Sequence, residues 1–202
     1  LNADDLNVYG TMVNDGTISL ESTGSFTGLR IDSLDGTQTT FSGSGQLLLG
    51  SLAYNQVTAI NGPHILVNGP LHTIAGGGEL GSDSALNITN QGVVDANLAG
   101  VTMVVDAAPS ANTGLMRARN GGSLSLLTLD LDNTGGVLRA EDASNVRINA
   151  SAIRGGTLET IGTGYIHSAD GSQSVVGIHN LGALRLLNAE DLNLYGTIEN
   201  DG

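Results

Sequence analysis

Apolar and polar positions alternate along this chain in short bursts, and each burst follows a glycine. The motif reads GTISL at 16–20, GQLLL at 45–49, GPLHT at 69–73 and GVVDA at 92–96. It continues as GLMRA at 114–118, GVLRA at 136–140, GTLET at 156–160 and GALRL at 182–186, and the next would begin at Gly202. The steps between these glycines lie between 20 and 29 residues. Two residues after each glycine stand Ile18, Leu47, Leu71, Val94, Met116, Leu138, Leu158 and Leu184, all apolar. Four after it stand Leu20, Leu49, Thr73, Ala96, Ala118, Ala140, Thr160 and Leu186, apolar or small. Between these fall Ser19, Leu48, His72, Asp95, Arg117, Arg139, Glu159 and Arg185, mostly polar. Alternate side chains of a strand point to opposite faces, so the first two columns are expected to face a core and the third to face solvent.

The glycine then marks a corner, expected often to turn through positive φ. Asn precedes it by two residues at Asn14, Asn90, Asn112, Asn180 and Asn200, and Asn suits a turn. Further alternating runs lie between the bursts, among them LRIDS, ILVNG, LTLDLD and VRINA, each bounded by Gly, Ser, Asn or Asp. No stretch carries a helical period over ten or more residues. Two or three short strands in each coil of about 23 residues, stacked coil upon coil, predict an all-β parallel β-helix, or β-solenoid. A sandwich would need tight hairpin dipeptides between adjacent strands, and a propeller would need blades of about 40 residues with aromatic signatures. The calcium-binding nonapeptide of β-rolls is absent.

A second period is much longer. Residues 1–16, LNADDLNVYGTMVNDG, recur as 187–202, LNAEDLNLYGTIENDG, with twelve of sixteen positions identical. The chain is therefore read as one solenoid segment over 1–202, with residues 1–186 as one long unit and 187–202 as the start of the next. The glycine steps sum to the same 186 residues, so the unit is expected to hold about eight coils. A near-identical recurrence and a chain that opens on Leu1 suggest a piece of something longer.

Composition narrows the partners. The net charge is −13 and all seven basic residues are Arg. That balance argues against nucleic acid and against adsorption to anionic lipid, both of which need a cationic footprint. No apolar run reaches membrane-spanning length, so membrane insertion is not expected. Cys is absent, which removes disulfides and thiolate metal sites.

Coils such as NQGVVDA, NTGLMRA and HNLGALRL resemble those of giant bacterial surface proteins of the filamentous-haemagglutinin, autotransporter and repetitive-adhesin kind. The resemblance is architectural and covers nearly the whole chain. It implies a right-handed β-helix, export, an extracellular or cell-surface location and a rod-like shape, and it carries no catalytic residues. The function expected is a structural fibre or adhesin stalk, a secreted structural protein rather than an enzyme. Its units would join end to end with copies of themselves, covalently or as a polymer, and surface glycans are a further candidate partner. The alternative is a β-helical polysaccharide-acting enzyme or a phage tailspike-like depolymerase.

No catalytic, cofactor-binding or metal site is expected. Asp130 and Asp132 share a strand face and could offer oxygen ligands to calcium, although a solvated face ending in a turn explains them as well. The pairs Asp4/Asp5, Glu141/Asp142 and Glu190/Asp191 could serve acid–base work, or could cap turns. Asp95, Arg117, Arg139, Glu159 and Arg185 fall in one outward column. They read as a surface ion ladder in which Arg139–Glu159 and Glu159–Arg185 attract, or as a strip for sugar or sulfate. His64, His72, His167 and His179 are scattered. Thr17, Thr37, Thr39, Thr40, Thr157, Thr160 and Thr163 form no regular column of the ice-binding kind. Gly76–Gly78 lack the Lys and helix of a phosphate loop. Residues 50–64 are the main irregularity and the place to look for a binding loop.

Overall fold

The computed structural model describes residues 4–32, 38–60, 62–81, 85–107, 109–169, 171–187 and 190–202. Among them every regular element is a strand, 27 in all, with no helix. The strands form three nine-stranded sheets, and each strand pairs with the third one before it and the third one after it, the first three and last three on one side only. All pairings are parallel, as for Leu124 between Met103 and Val146. Sheet 1 runs from Asp5–Tyr9 to Leu184–Arg185, sheet 2 from Thr11–Val13 to Asp191–Tyr195, and sheet 3 from Thr17–Leu20 to Glu199–Asn200. This is a β-solenoid of about eight turns with one sheet on each of three faces. At ~4.8 Å per coil the rod is roughly 38 Å long.

The core is a set of stacked aliphatic columns. In sheet 1, Leu6, Leu29, Val57, Leu80, Val105, Leu126 and Ile148 lie one above another. In sheet 3 the column is Ile18, Leu47, Ile74, Val94, Met116, Leu138 and Leu158. From Leu47 to Leu158 its members are fully buried. Burying each such side chain contributes about 1.5–3 kcal/mol, so stability grows with every coil added. The companion column of Ala96, Ala118 and Ala140 is equally buried, and its small size lets the corner close tightly.

The corner glycines are required chiefly by close approach. At Gly92 a Cβ would sit 2.3 Å from the carbonyl oxygens of Gly69 and His72, and at Gly114 it would sit 2.3 Å from that of Gly92. Neither residue has positive φ, in contrast to the turn expected from the sequence. Stacked backbones cross here with no room for a side chain.

Two stretches depart from the expected columns. Leu71, expected from the alternation to face the core, is 74% exposed. The strand of that coil is Thr73–Gly76, and Ile74 takes the inward place between Leu47 and Val94. Pro70 has no N–H to give to a ladder, so the chain turns at Asn68–His72 before the strand can start. The second departure lies near the C-terminal end. Leu184 and Arg185 belong to sheet 1, not sheet 3, and Leu186 is 62% exposed. The place expected for GALRL is filled by His179–Leu181. Gly177, at φ +59°, turns the chain directly after Val176 and creates an extra corner. The step from Gly156 to Gly182 consequently holds four strands where the others hold three.

That extra strand shifts the long repeat against the coil. Asp5–Tyr9 lies in sheet 1, whereas its sequence counterpart Asp191–Tyr195 lies in sheet 2. The long unit is thus eight coils plus one strand, and the two periods do not close on each other. Asn180 and Asn200 fall over Leu158 at the end of the aliphatic column. Asn180 Nδ2 donates to Asn200 Oδ1 at 2.6 Å, while the buried Asn180 Oδ1 has no partner among the described residues.

Candidate functional site

Three groups of polar residues and two open ends are the features able to act. The first group is an internal amide ladder at the corner between sheets 2 and 3. Asn68 Nδ2 donates to Asn90 Oδ1, Asn90 Nδ2 to Asn112 Oδ1, and Asn112 Nδ2 to Asn133 Oδ1, each at 2.7 Å. All four asparagines are fully buried. The coil that carries Gly43 has no Asn to continue the ladder, and His72 bridges the gap. Its Nδ1 lies 2.7 Å from Asn68 Oδ1 and its Nε2 lies 3.0 Å from Asn14 Nδ2. The imidazole also meets the Phe41 ring edge-on, with centroids 5.4 Å apart. Asn14, Asn90 and Asn112 stand at the corners where the sequence places them, whereas Asn68 and Asn133 are not singled out by it, and His72, expected in the outward column, is fully buried because the strand of its coil starts only at Thr73. Their spacings, N-x-x-x-H at 68–72 and N-x-x-G at 133–136, were the available signal.

The second group is the outward column of sheet 3. Asp95, only 2% exposed, receives Arg117 Nη2 at 3.0 Å and Arg119 Nη2 at 2.8 Å. Arg117 also reaches Glu141 at 3.4 Å, and Arg139 Nε lies 2.7 Å from Glu159. The expected Arg139–Glu159 attraction is present, and the two arginines avoid conflict because each has its own acid. The expected Glu159–Arg185 pair is absent, since Glu159 faces Leu181. Arg185 lies instead on sheet 1, its guanidinium 4.5 Å from the centre of the Tyr165 ring. Arg119, two residues beyond Arg117 in the alternation, was not singled out from the sequence. Its hydrogen bond to Asp95 raises its pKa further.

The third group is the acidic pairs. Asp130 binds Arg154 at 2.9 Å. Asp132 accepts the Thr134 N–H at 3.0 Å, and bonds to Thr134 lower its pKa. Asp5 pairs with Arg30 at 3.0 Å, and the Asp142 carboxylate caps Thr163 N–H at 2.7 Å. Glu190 accepts from Ser168 Oγ at 3.0 Å. These acids are thus engaged in turns and ion pairs. Glu79 is a further case, raised in pKa by burial first and by Asp106 second, against a 2.9 Å bond from Gln56. Among the described residues no group of three or more His, Cys, Asp or Glu is placed to hold a metal ion.

The other histidines remain apart. His64 lies 3.6 Å from Asp32, His167 4.0 Å from Glu190, and His179 2.9 Å from Asp201. Thr37 and Asn61 fall outside the described residues, as do residues 1–3 and 188–189 of the two repeat copies. The stretch 50–64 is irregular at its described residues 50–54, 60 and 62–63. It contributes the strand Asn55–Ala59, with buried Asn55 accepting Ser22 N–H at 2.7 Å and so bracing the corner. Gly76–Gly78 form the corner between Thr73–Gly76 and Glu79–Leu80.

Both ends of the rod open the core. The first is a hollow of about 420 Å³ bordered by Leu6, Ile18 and Leu20. The other is a hollow of about 740 Å³ bordered by Leu184, Leu194, Ile198 and Asn200. Among the described residues no helix is long and apolar enough to cross a membrane. Comparison with protein families, curated proteins and solved structures gave no match.

Proposed function

We propose that this chain is a length of shaft from an extracellular or cell-surface fibre, of the filamentous-haemagglutinin or autotransporter-adhesin type. It acts as a spacer and mechanical element rather than as an enzyme, and copies of the unit join end to end. The observation that carries this reading is three parallel sheets running unbroken along the rod. The recurrence of the opening sequence at the far end supports continuation by the same unit. The non-catalytic reading is supported by the engagement of the acidic pairs in ion pairs and caps. The partnering of Arg117 and Arg139 with acids likewise favours a structural ladder over a sulfate strip.

Two measurements test the proposal. A peptide map of the native polypeptide should contain the LNA-[DE]-DLN peptide repeatedly at the 186-residue spacing, and antibodies to this segment should label intact cells of the source. A short native chain confined to the cell interior would overturn it.

A further inference from the structure

Arg30, Arg117, Arg119, Arg139 and Arg154 each hold a carboxylate. The remaining two arginines, Arg147 and Arg185, hold none among the described residues, and both lie in one outward column of sheet 1. From coil to coil that column reads Glu79, Val104, Ser125, Arg147, His167 and Arg185. Its members stand ~4.8 Å apart along the rod. The outward positions flanking Arg147 on its own strand and the two beside it are Asn145, Asn149, Ser123, Leu127 and Tyr165, none of them acidic. The carboxylate on this side is that of Glu190, 4.0 Å from His167 Nδ1, and it accepts the Ser168 hydroxyl at 3.0 Å and the Leu187 N–H at 3.3 Å. A chain of net charge −13 thus gathers its two unneutralised arginines on one face.

The strip is held in shape before anything binds. His167 is buried between the two arginines, and its Nδ1 donates to the Ser168 carbonyl at 2.7 Å. Its ring lies 5.4 Å from that of Tyr165, centre to centre. The Arg185 guanidinium sits over the other side chain of this pair, 4.5 Å from the Tyr165 ring centre. A guanidinium held over a ring keeps N–H donors at its edge for a planar oxyanion. We infer that Arg147, Tyr165 and Arg185 form a binding strip for a carboxylated saccharide chain lying along the rod. Carboxylate oxygens match the fork of each guanidinium, and Tyr165 offers ring surface to the apolar face of a sugar. A densely charged polyphosphate would meet the repulsive field of the whole chain and find only two free guanidinium groups. A neutral glycan would leave both arginines without a counter-charge. Because the strip faces outward, coils stacked beyond either end would leave it open.

The strip goes beyond the shaft reading, and its test is separate from the peptide map. In the full chain at low salt, calorimetric titration with an oligogalacturonate compares the native sequence with two double variants. One is Arg147→Gln with Arg185→Gln. The other, Arg139→Gln with Arg154→Gln, loses the same two charges from paired arginines on the other two sheets. Removing two charge-assisted contacts should weaken binding about tenfold or more in the first variant, against about twofold or less in the second. Urea midpoints of the first variant should match those of the native chain, since neither side chain is in the core. Equal weakening in both variants would mean that net charge alone governs binding and would overturn the strip, as would a native chain that does not bind. Equal affinity for a neutral maltooligosaccharide would overturn the role of the arginines. Tighter binding of oligothymidylate than of the uronate would overturn the saccharide as the occupant.

Discussion

His72 stands where neighbouring coils carry glycine, and its surroundings dictate its protonation. Asn68 gives its amide N–H to Asn90, so its oxygen faces the ring and Nδ1 must be the donor. Asn14 accepts the Gly16 N–H on its oxygen, so its amide N–H faces the ring and Nε2 must accept. A second ring proton would point at a donor. Burial lowers the pKa of His72 from its ordinary 6.5. A histidine depressed in the native state binds protons more readily when unfolded. Its contribution is complete above pH 6.5 and is lost as pH falls from there toward the depressed native value, at about 1.4 kcal/mol per pH unit. Glu79, raised from its ordinary 4.5, has the opposite sign. Its native form binds protons more readily, so it favours folding as pH falls. The difference between the native chain and His72→Gln isolates the first effect. Urea midpoints between pH 5 and 7.5 should fall with acidity more steeply in the native chain than in the variant, and parallel curves would refute the assignment.

Strand alternation is the level at which the sequence was most legible. Between Gly92 and Thr160 the inward residues Val94, Met116, Leu138 and Leu158 and the outward Asp95, Arg117, Arg139 and Glu159 all lie where period two puts them. Legibility failed where the chain turned for a reason other than the repeated corner glycine. Pro70 delays a strand by several residues, and Gly177 supplies a corner that the Asn-x-Gly spacing disguised. Partners such as Asp130 with Arg154, or His72 with Asn14, depend on the length of each coil and not on local pattern, so no window of sequence reveals them. The alternation itself can be tested on adjacent residues. Leu138→Asp buries an unpaired charge between Met116 and Leu158 and should cost about 3–5 kcal/mol in a denaturant series. Arg139→Ser removes one half-exposed ion pair with Glu159 and should cost about 0–1 kcal/mol. Equal losses would contradict the inward and outward faces.

Apart from the Asn14–His72 contact, strands pair only between adjacent coils, so stability is close to a sum of coil and interface terms. Strands in the middle of the rod are hydrogen-bonded on both edges and cover a closed core, whereas Asp5–Leu20 and Leu184–Asn200 are bonded on one edge and border the open hollows. The amide ladder sharpens this contrast. It runs through the coils from Asn14 to Asn133, while the polar pair at Asn180 and Asn200 interrupts the aliphatic column near the other end. Opening should therefore begin at the two ends, with the Asn180 side less protected than the His72 side. Hydrogen exchange followed by mass spectrometry should find the slowest amides in Thr102–Val105, Ser123–Leu127 and Asn145–Asn149 and the fastest in Asp191–Tyr195 and Glu199–Asn200. A single rate across the rod would mean that its coils open as one unit and that the nearest-neighbour account of its stability is wrong.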